Sequence, residues 1–482
     1  MHAKIIRATK SINRGVLTVK PKKFRLFDAV LMAVVVILVV ESVAPASAIG
    51  PSQFFLWIFL LFFFFIPYGL ISSELGTAFP DTGGLYAWVK SAFGKRWGGR
   101  LAWLYWISYP IWIMSVAVIF AQTAATVFGF RLNGITTILL QLLFIWTVVF
   151  IGNKPVADSK WIMNLAAFAK IFIIVALAVL GIYVASTKGV ANSFTLKTML
   201  PQTNLSSLSN VSIIVFNFLG FEVVTTMAGD MDNPKKQIPQ AIIFGGLLIA
   251  GFYLLAAFGI GVAIPADKLS ASSGLLSSFT LLIGHANWFT KVIGALFLYS
   301  LISEMVSWAL GINYVANYAA KDHTLPHLFS VESHDKMPVG TGYLNGLVAT
   351  ILVVVSPLIP NQDLFQAFFE LNVITLLLAY AMLFPAFLKL RKTQPTTPRP
   401  FKIPGGRFVV AVITWVPETL LILSILLTIV PLTTNEIPTK LPILIGTVIA
   451  LIIGEVVVRI SDSHISLNTP ALEPVKIEKT NQ

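Results

Sequence analysis

Glu41, Lys170, Glu222, Glu304 and Glu370 are ionisable side chains inside long apolar runs of this 482-residue sequence. A charge in such surroundings is expensive, so each is a functional candidate by default. Buried carboxylates can hold amines or relay protons. A buried lysine can stand where a bound sodium ion would sit, or carry a proton itself; snorkelling to the nearer interface is its structural alternative. Asp28, Glu74 and Asp230 fall near the ends of apolar runs, where water or loops can satisfy them.

The neighbours of these residues sharpen the reading. Glu41 stands in Val40-Glu41-Ser42-Val43-Ala44-Pro45. Pro45 lacks an N–H and clashes with the preceding turn, so a break is expected there. Glu222 closes Asn217-Phe218-Leu219-Gly220-Phe221-Glu222, in which Gly220 permits unwound backbone. The two segments lie five apolar runs apart. Paired breaks at corresponding places in two halves of a membrane protein point to a substrate site. Half-helix N-termini there attract carboxylates, and C-termini attract amines. The plainer alternative is two kinked helices whose glutamates pair internally.

Ser300, Ser303, Glu304 and Ser307 fall on one helical face and should look into the protein; Trp308, one turn on, is placed to gate or merely to pack. Tyr109, beside Pro110, is deep enough to line a path. The candidate substrate-binding set is therefore Val40, Glu41, Ser42, Tyr109, Asn217, Gly220, Phe221, Glu222, Glu304 and Trp308, with Lys170 and Glu222 for ion or proton coupling. His323, His327 and His334 cluster in one loop, either as an acid sensor or simply solvated.

The elements that must position these groups are membrane helices. Hydrophobic residues make up 56% of the chain and charged ones 11%, too few to cover a soluble protein of this length. About 20 apolar residues cross a bilayer, and twelve such spans are expected, at 26–49, 54–78, 100–128, 134–152, 162–185, 206–230, 239–264, 289–317, 340–359, 364–388, 408–430 and 441–459. With both termini cytoplasmic, 27 of the 34 Lys and Arg fall in cytoplasmic segments and six outside, the bias that orients membrane proteins. Segment 81–96 is amphipathic through Leu85, Trp88, Val89 and Phe93 and should lie on the cytoplasmic surface. Segment 265–288 is long enough to fold into short helices, and 461–482 is polar and expected to be disordered. Eight basic residues precede Asp28, and Ala46-Ser47-Ala48 resembles a signal-peptidase site; the long basic region and Glu41 favour a retained first span.

Other classes are excluded or unsupported. The net charge of +13 reports loop topology rather than nucleic-acid binding. With no cysteine, no disulfide or thiolate chemistry is possible, and the six histidines lack metal-ligand spacing. No phosphate-binding glycine loop, HExxH or GxSxG occurs. No cofactor or metal is expected, and the partners are a small molecule and the lipid bilayer.

Several stretches resemble the amino acid–polyamine–organocation transporters, and within them the glutamate/GABA antiporter branch. These are Ile66-Pro67-Tyr68-Gly69-Leu70 with Ser73-Glu74-Leu75, Gly83-Gly84-Leu85-Tyr86-Ala87-Trp88-Val89, Arg96-Trp97-Gly98, and Gly220-Phe221-Glu222 followed by Met231-Asp232-Asn233-Pro234 and Pro239. Ser303-Glu304-Met305-Val306-Ser307-Trp308 and Phe401-Lys402-Ile403-Pro404-Gly405-Gly406 complete the match, in the right order over most of the chain. The resemblance implies an all-α membrane protein of twelve spans with a LeuT-type fold. In that layout 1–25 is a basic cytoplasmic segment and 26–388 two inverted five-span repeats; 389–460 adds two spans and 461–482 a short tail. It implies a site between the broken spans 1 and 6, helped by 3, 8 and 10. It implies exchange of an external amino acid or amine precursor for its internal decarboxylated or deiminated amine by alternating access in the cell membrane, by a monomer or homodimer. By position, Glu41, Glu222 and Glu304 match acids of that branch, and Lys170 a lysine at the sodium position of sodium-independent relatives. A proton-coupled amino-acid importer is the alternative. Two departures stand out. Val39-Val40-Glu41-Ser42 replaces the family's Gly-Ser-Gly turn, which puts backbone contacts to a substrate carboxylate in doubt. The long C-terminal plug of acid-resistance antiporters has no counterpart in the roughly 20 residues after the last span. Tyrosine/tyramine, histidine/histamine, glutamate/GABA and agmatine/putrescine all remain open as pairs.

Overall fold

Apolar backbone in a membrane must pair its own hydrogen-bonding groups, so the long runs become helices. The computed structural model describes residues 25–79, 83–155, 160–201, 211–226, 231–265, 268, 274–358 and 363–468, and all regular elements there are helical. The elements are α1 Leu26–Ile37, α2 Val43–Ser47, α3 Gln53–Leu60, α4 Ile66–Ala78, α5 Gly84–Phe93, α6 Lys95–Phe128, α7 Gly134–Gly152 and α8 Lys160–Lys188. They continue as α9 Val211–Phe216, α10 Val223–Thr226, α11 Pro234–Ala263, α12 Gly274–Ile283, α13 Trp288–Lys321, α14 Val339–Val355, α15 Leu364–Tyr380, α16 Leu383–Thr393, α17 Arg407–Ile429 and α18 Ile437–Asn468.

Among the described residues ten stretches are long and apolar enough to cross a membrane; α1 with Val40–Ser47 forms an eleventh, bent by 46°. Within the expected span at 206–230, the described residues form two short helices, α9 and α10, either side of an unwound stretch, as expected of a broken span. Burial sorts the bundle. The most apolar stretches of α6 and α13 are 72% buried and form its centre, whereas those of α7 and α18 are 28% buried and lie at its periphery. α1 lies in the core against α8, α11 and α13, with Val34 and Val35 fully buried.

Three expectations shift. The first break falls at Leu38–Val39, not at Pro45. Pro45 sits in the first turn of α2, where its missing donor costs little. α18 runs on through Asn468, past the candidate span that ends at Ser461, so part of 461–482 is helix; 469–482 lie outside the described residues, as do 1–24 and Asp230. Segment 81–96 does contain an amphipathic helix, α5, but Leu85, Trp88 and Val89 bury its apolar face against α6 and α16. Part of 265–288 folds as α12.

Candidate functional site

The first break leaves the last carbonyls of α1 without intrahelical partners, and three other helices supply them. Tyr253 of α11 accepts the Val39 N–H (2.7 Å) and donates to the Ile37 oxygen (3.0 Å). Lys170 of α8 donates to the Val35 and Leu38 oxygens at 2.6 and 2.7 Å. Trp308 of α13 donates through Nε1 to the Val36 oxygen. An ammonium at a helix C-terminus meets the negative end of the dipole. Lys170 also lies 2.9 Å from a Glu304 oxygen, with both side chains fully buried. It therefore does not snorkel; its amine ties three helices together.

The second break is held differently. Between α9 and α10, local turns carry the backbone: Phe218 N–H donates to the Val215 oxygen, Leu219 to Phe216, and Val223 to Gly220. Gly220 has φ +101°, open to glycine and strained for other residues, and a Cβ there would lie 2.9 Å from the Trp308 indole. Glu222 accepts the Tyr68 hydroxyl at 2.5 Å, the Tyr105 hydroxyl at 3.0 Å and the Tyr380 hydroxyl. Those tyrosines come from α4, α6 and α15, so one carboxylate gathers three helices. The breaks also meet directly: the Ser42 hydroxyl lies 2.7 Å from the Val39 oxygen and 2.9 Å from Asn217 Oδ1.

Between the breaks, Glu41 sits beside Lys170, Glu304 and Trp112. It is 2% exposed, and no donor meets its oxygens in full hydrogen-bond geometry; the Trp112 indole N–H and the Glu304 carboxyl lie nearest. Asn217 Nδ2 is buried and without a hydrogen-bond partner. Trp112 meets Trp308 edge to face at 5.2 Å. Three carboxyl groups and one amine are thus buried at the two breaks. All four groups are closed off from solvent, so a ligand can enter only if helices move.

The other predicted residues spread out. Val40 is buried in the turn after the break. Phe221 packs on Phe65 of the π-turn Leu61–Phe65 (4.9 Å), and the Tyr109 hydroxyl donates to the Met305 oxygen at 2.6 Å. Glu370 receives a hydrogen bond from Gln366, away from both breaks. Glu74 is held by Arg391, Arg399 and the Ile403 N–H. His323, His327 and His334 are exposed. Tyr253 and Tyr380 escaped notice in the sequence, and Tyr68 and Tyr105 carried no assigned role. Glu418, half-buried inside α17 with an unpartnered Oε2, also lies in an apolar run.

A helical membrane bundle with two spans broken five apart, and charged side chains at each break, defines a secondary transporter rather than an enzyme. The solved structure of MhsT in complex with L-phenylalanine shares the fold, with TM-score 0.56, 16% identity, and cover of 90% of this chain and 98% of that one. That likeness supports the LeuT-type architecture. A family model described as amino acid permease matches residues 24–454, and the chain belongs to that family. Its relatives include the probable agmatine/putrescine antiporter AguD of Lactococcus lactis subsp. lactis (strain IL1403), 48% identical over 91% of this chain and 95% of that protein. The glutamate/gamma-aminobutyrate antiporter of the same strain is 22% identical over 92% of each. The serine/threonine exchanger SteT of Bacillus subtilis (strain 168) is 24% identical over 70% of this chain and 74% of that protein.

Proposed function

We propose that this chain exchanges external agmatine for internal putrescine across the cell membrane, by alternating access, with both termini cytoplasmic. The observation that carries this reading is Glu41: a buried carboxyl group that no protein donor meets in full hydrogen-bond geometry, in a site with three carboxyl groups and one amine, suits a cationic ligand. Its position argues further against a substrate carboxylate. Glu41 occupies the first turn after the break, where the half-helix N-terminus would otherwise attract an anion. The nearby Val39 and Ser42 N–H groups are already engaged, by Tyr253 and the Val39 oxygen. Agmatine and putrescine have no carboxylate and a cation at each end, and the relative at 48% identity carries their names.

In this reading Glu41 and Glu304 take one cationic end, with Ser42, Asn217 and Val40 forming the wall between the breaks. Glu222 takes the other end once its tyrosines let go. Trp308 and Trp112 flank the methylene chain and favour a cation. Gly220 lets the Trp308 indole approach the backbone, while Phe221 and Tyr109 hold the walls in place. Lys170 serves as the fixed ion at the first break. One path runs through each chain, whether monomer or homodimer. Both substrates are dications at neutral pH, so one-for-one exchange moves no net charge.

The test is counterflow in proteoliposomes. Labelled agmatine should enter vesicles loaded with putrescine, should not enter empty ones, and should not respond to an imposed membrane potential. Equal entry into empty vesicles, driven by an inward proton gradient, would establish a proton-coupled importer instead.

A further inference from the structure

Outside the site, a cleft of about 350 Å³ opens between α6, α15 and α18. It lies behind the tyrosine cage. Leu104 on its wall precedes Tyr105, and Leu378 and Met382 stand two residues either side of Tyr380. At helical spacing Leu378 and Tyr380 point to opposite faces of α15.

The cleft has two unlike ends. α6 begins at Lys95 and α16 ends at Thr393, so Arg100 and Glu455 mark its mouth at the basic end of the bundle. Arg100 lies over the Trp97 ring at 4.6 Å and donates to both Glu455 oxygens at 2.8 and 3.2 Å. Arg459, one turn further along α18 and 74% exposed, donates to the same carboxylate at 2.6 Å. Two guanidiniums against one carboxylate leave the mouth net positive. Deeper in, the lining turns apolar through Leu104, Leu378 and Leu451. From Trp97 to Leu104 the cleft runs about 10 Å along α6 at the helical rise.

We propose that this cleft binds one anionic phospholipid from the leaflet at the basic end of the bundle, its headgroup on Arg100 and Arg459 and an acyl chain along the apolar wall. The charge order matches such a lipid: positive at the headgroup level and apolar towards the membrane interior. The bound lipid would back the two turns that carry Tyr105 and Tyr380.

Native mass spectrometry of the full-length protein from detergent, with equal phosphatidylglycerol and phosphatidylcholine, tests this. Wild type should retain one phosphatidylglycerol in preference to phosphatidylcholine. Arg459→Gln, on an exposed side chain, should weaken that preference about fivefold, as expected for one basic residue at a membrane surface. Leu451→Trp, which fills the cleft, should lose the bound lipid while melting like wild type. Equal retention of both lipids, unchanged in both variants, would overturn the proposal. So would a dimer that Leu451→Trp dissociates without altering lipid retention, because the cleft would then hold a second copy.

Discussion

The two breaks face each other, yet they are secured by opposite means. The first is clamped through its backbone: Tyr253, Lys170 and Trp308 hold the oxygens of Val35, Val36, Ile37 and Leu38. The second is clamped through a side chain, since its backbone closes on itself while Glu222 is gripped by Tyr68, Tyr105 and Tyr380. A backbone clamp holds whether or not a ligand is bound. A side-chain clamp can be competed away, because a cation offered to Glu222 replaces three phenols that can each turn elsewhere. In the proposed site the first break would be the fixed wall of the path and the second the one a substrate can release.

That contrast can be broken in graded steps. Lys170→Ala leaves the Val35 and Leu38 oxygens and Glu304 without their partner. Removing one side of a buried ion pair costs about 3–5 kcal/mol, so thermal unfolding in detergent should drop sharply. Near-normal melting would mean the first break does not depend on the lysine. Glu222→Gln keeps an oxygen for the phenols but loses the charge. The fold should survive while exchange falls by about two orders of magnitude, equivalent to about 3 kcal/mol; normal exchange would remove Glu222 from substrate handling.

Gly220→Ala forces a Cβ into a left-handed backbone 2.9 Å from the Trp308 ring. The strain should cost about 1–3 kcal/mol and slow exchange more than it lowers melting, a pattern that stopped-flow uptake beside calorimetry would reveal. The smallest effect lies outside the membrane. Burial tends to raise the Asp322 carboxyl, but Lys90 and Tyr86, with Lys95 nearby, outweigh it and hold the group below the usual carboxylate range. A folded pKa depressed this way stabilises the protein above about pH 4. That contribution is lost as pH falls through the lowered folded value. Asp322→Asn should therefore cost under about 1 kcal/mol at neutral pH and flatten acid unfolding; an unchanged acid limb would show the cluster to be idle.

Much of this was legible in the sequence because charge and glycine stand out in apolar runs. Glu41, Lys170, Glu222 and Glu304 announce themselves, and Gly220 marks the unwinding of the second break. The first break did not announce itself: Leu38 and Val39 are ordinary helix-compatible residues, and the break is stabilised by partners as far as 272 residues away. Pro45 drew attention to the wrong turn for the same reason. The tyrosine cage was hidden because a phenol in an apolar helix reads as packing until its acceptor, 154 residues distant for Tyr68, is known. Lys170 lacked any local partner in sequence and proved to have three contacts in space.

The most direct test of the two-acid site is agmatine binding to the purified protein by isothermal titration, in wild type, Glu41→Gln and Glu222→Gln. The account predicts one agmatine per chain. Each variant should weaken binding by about thirtyfold or more, as expected when a partner of a buried charge pair is lost. Full-strength binding in both variants would contradict it, and would place the cation site away from the two breaks.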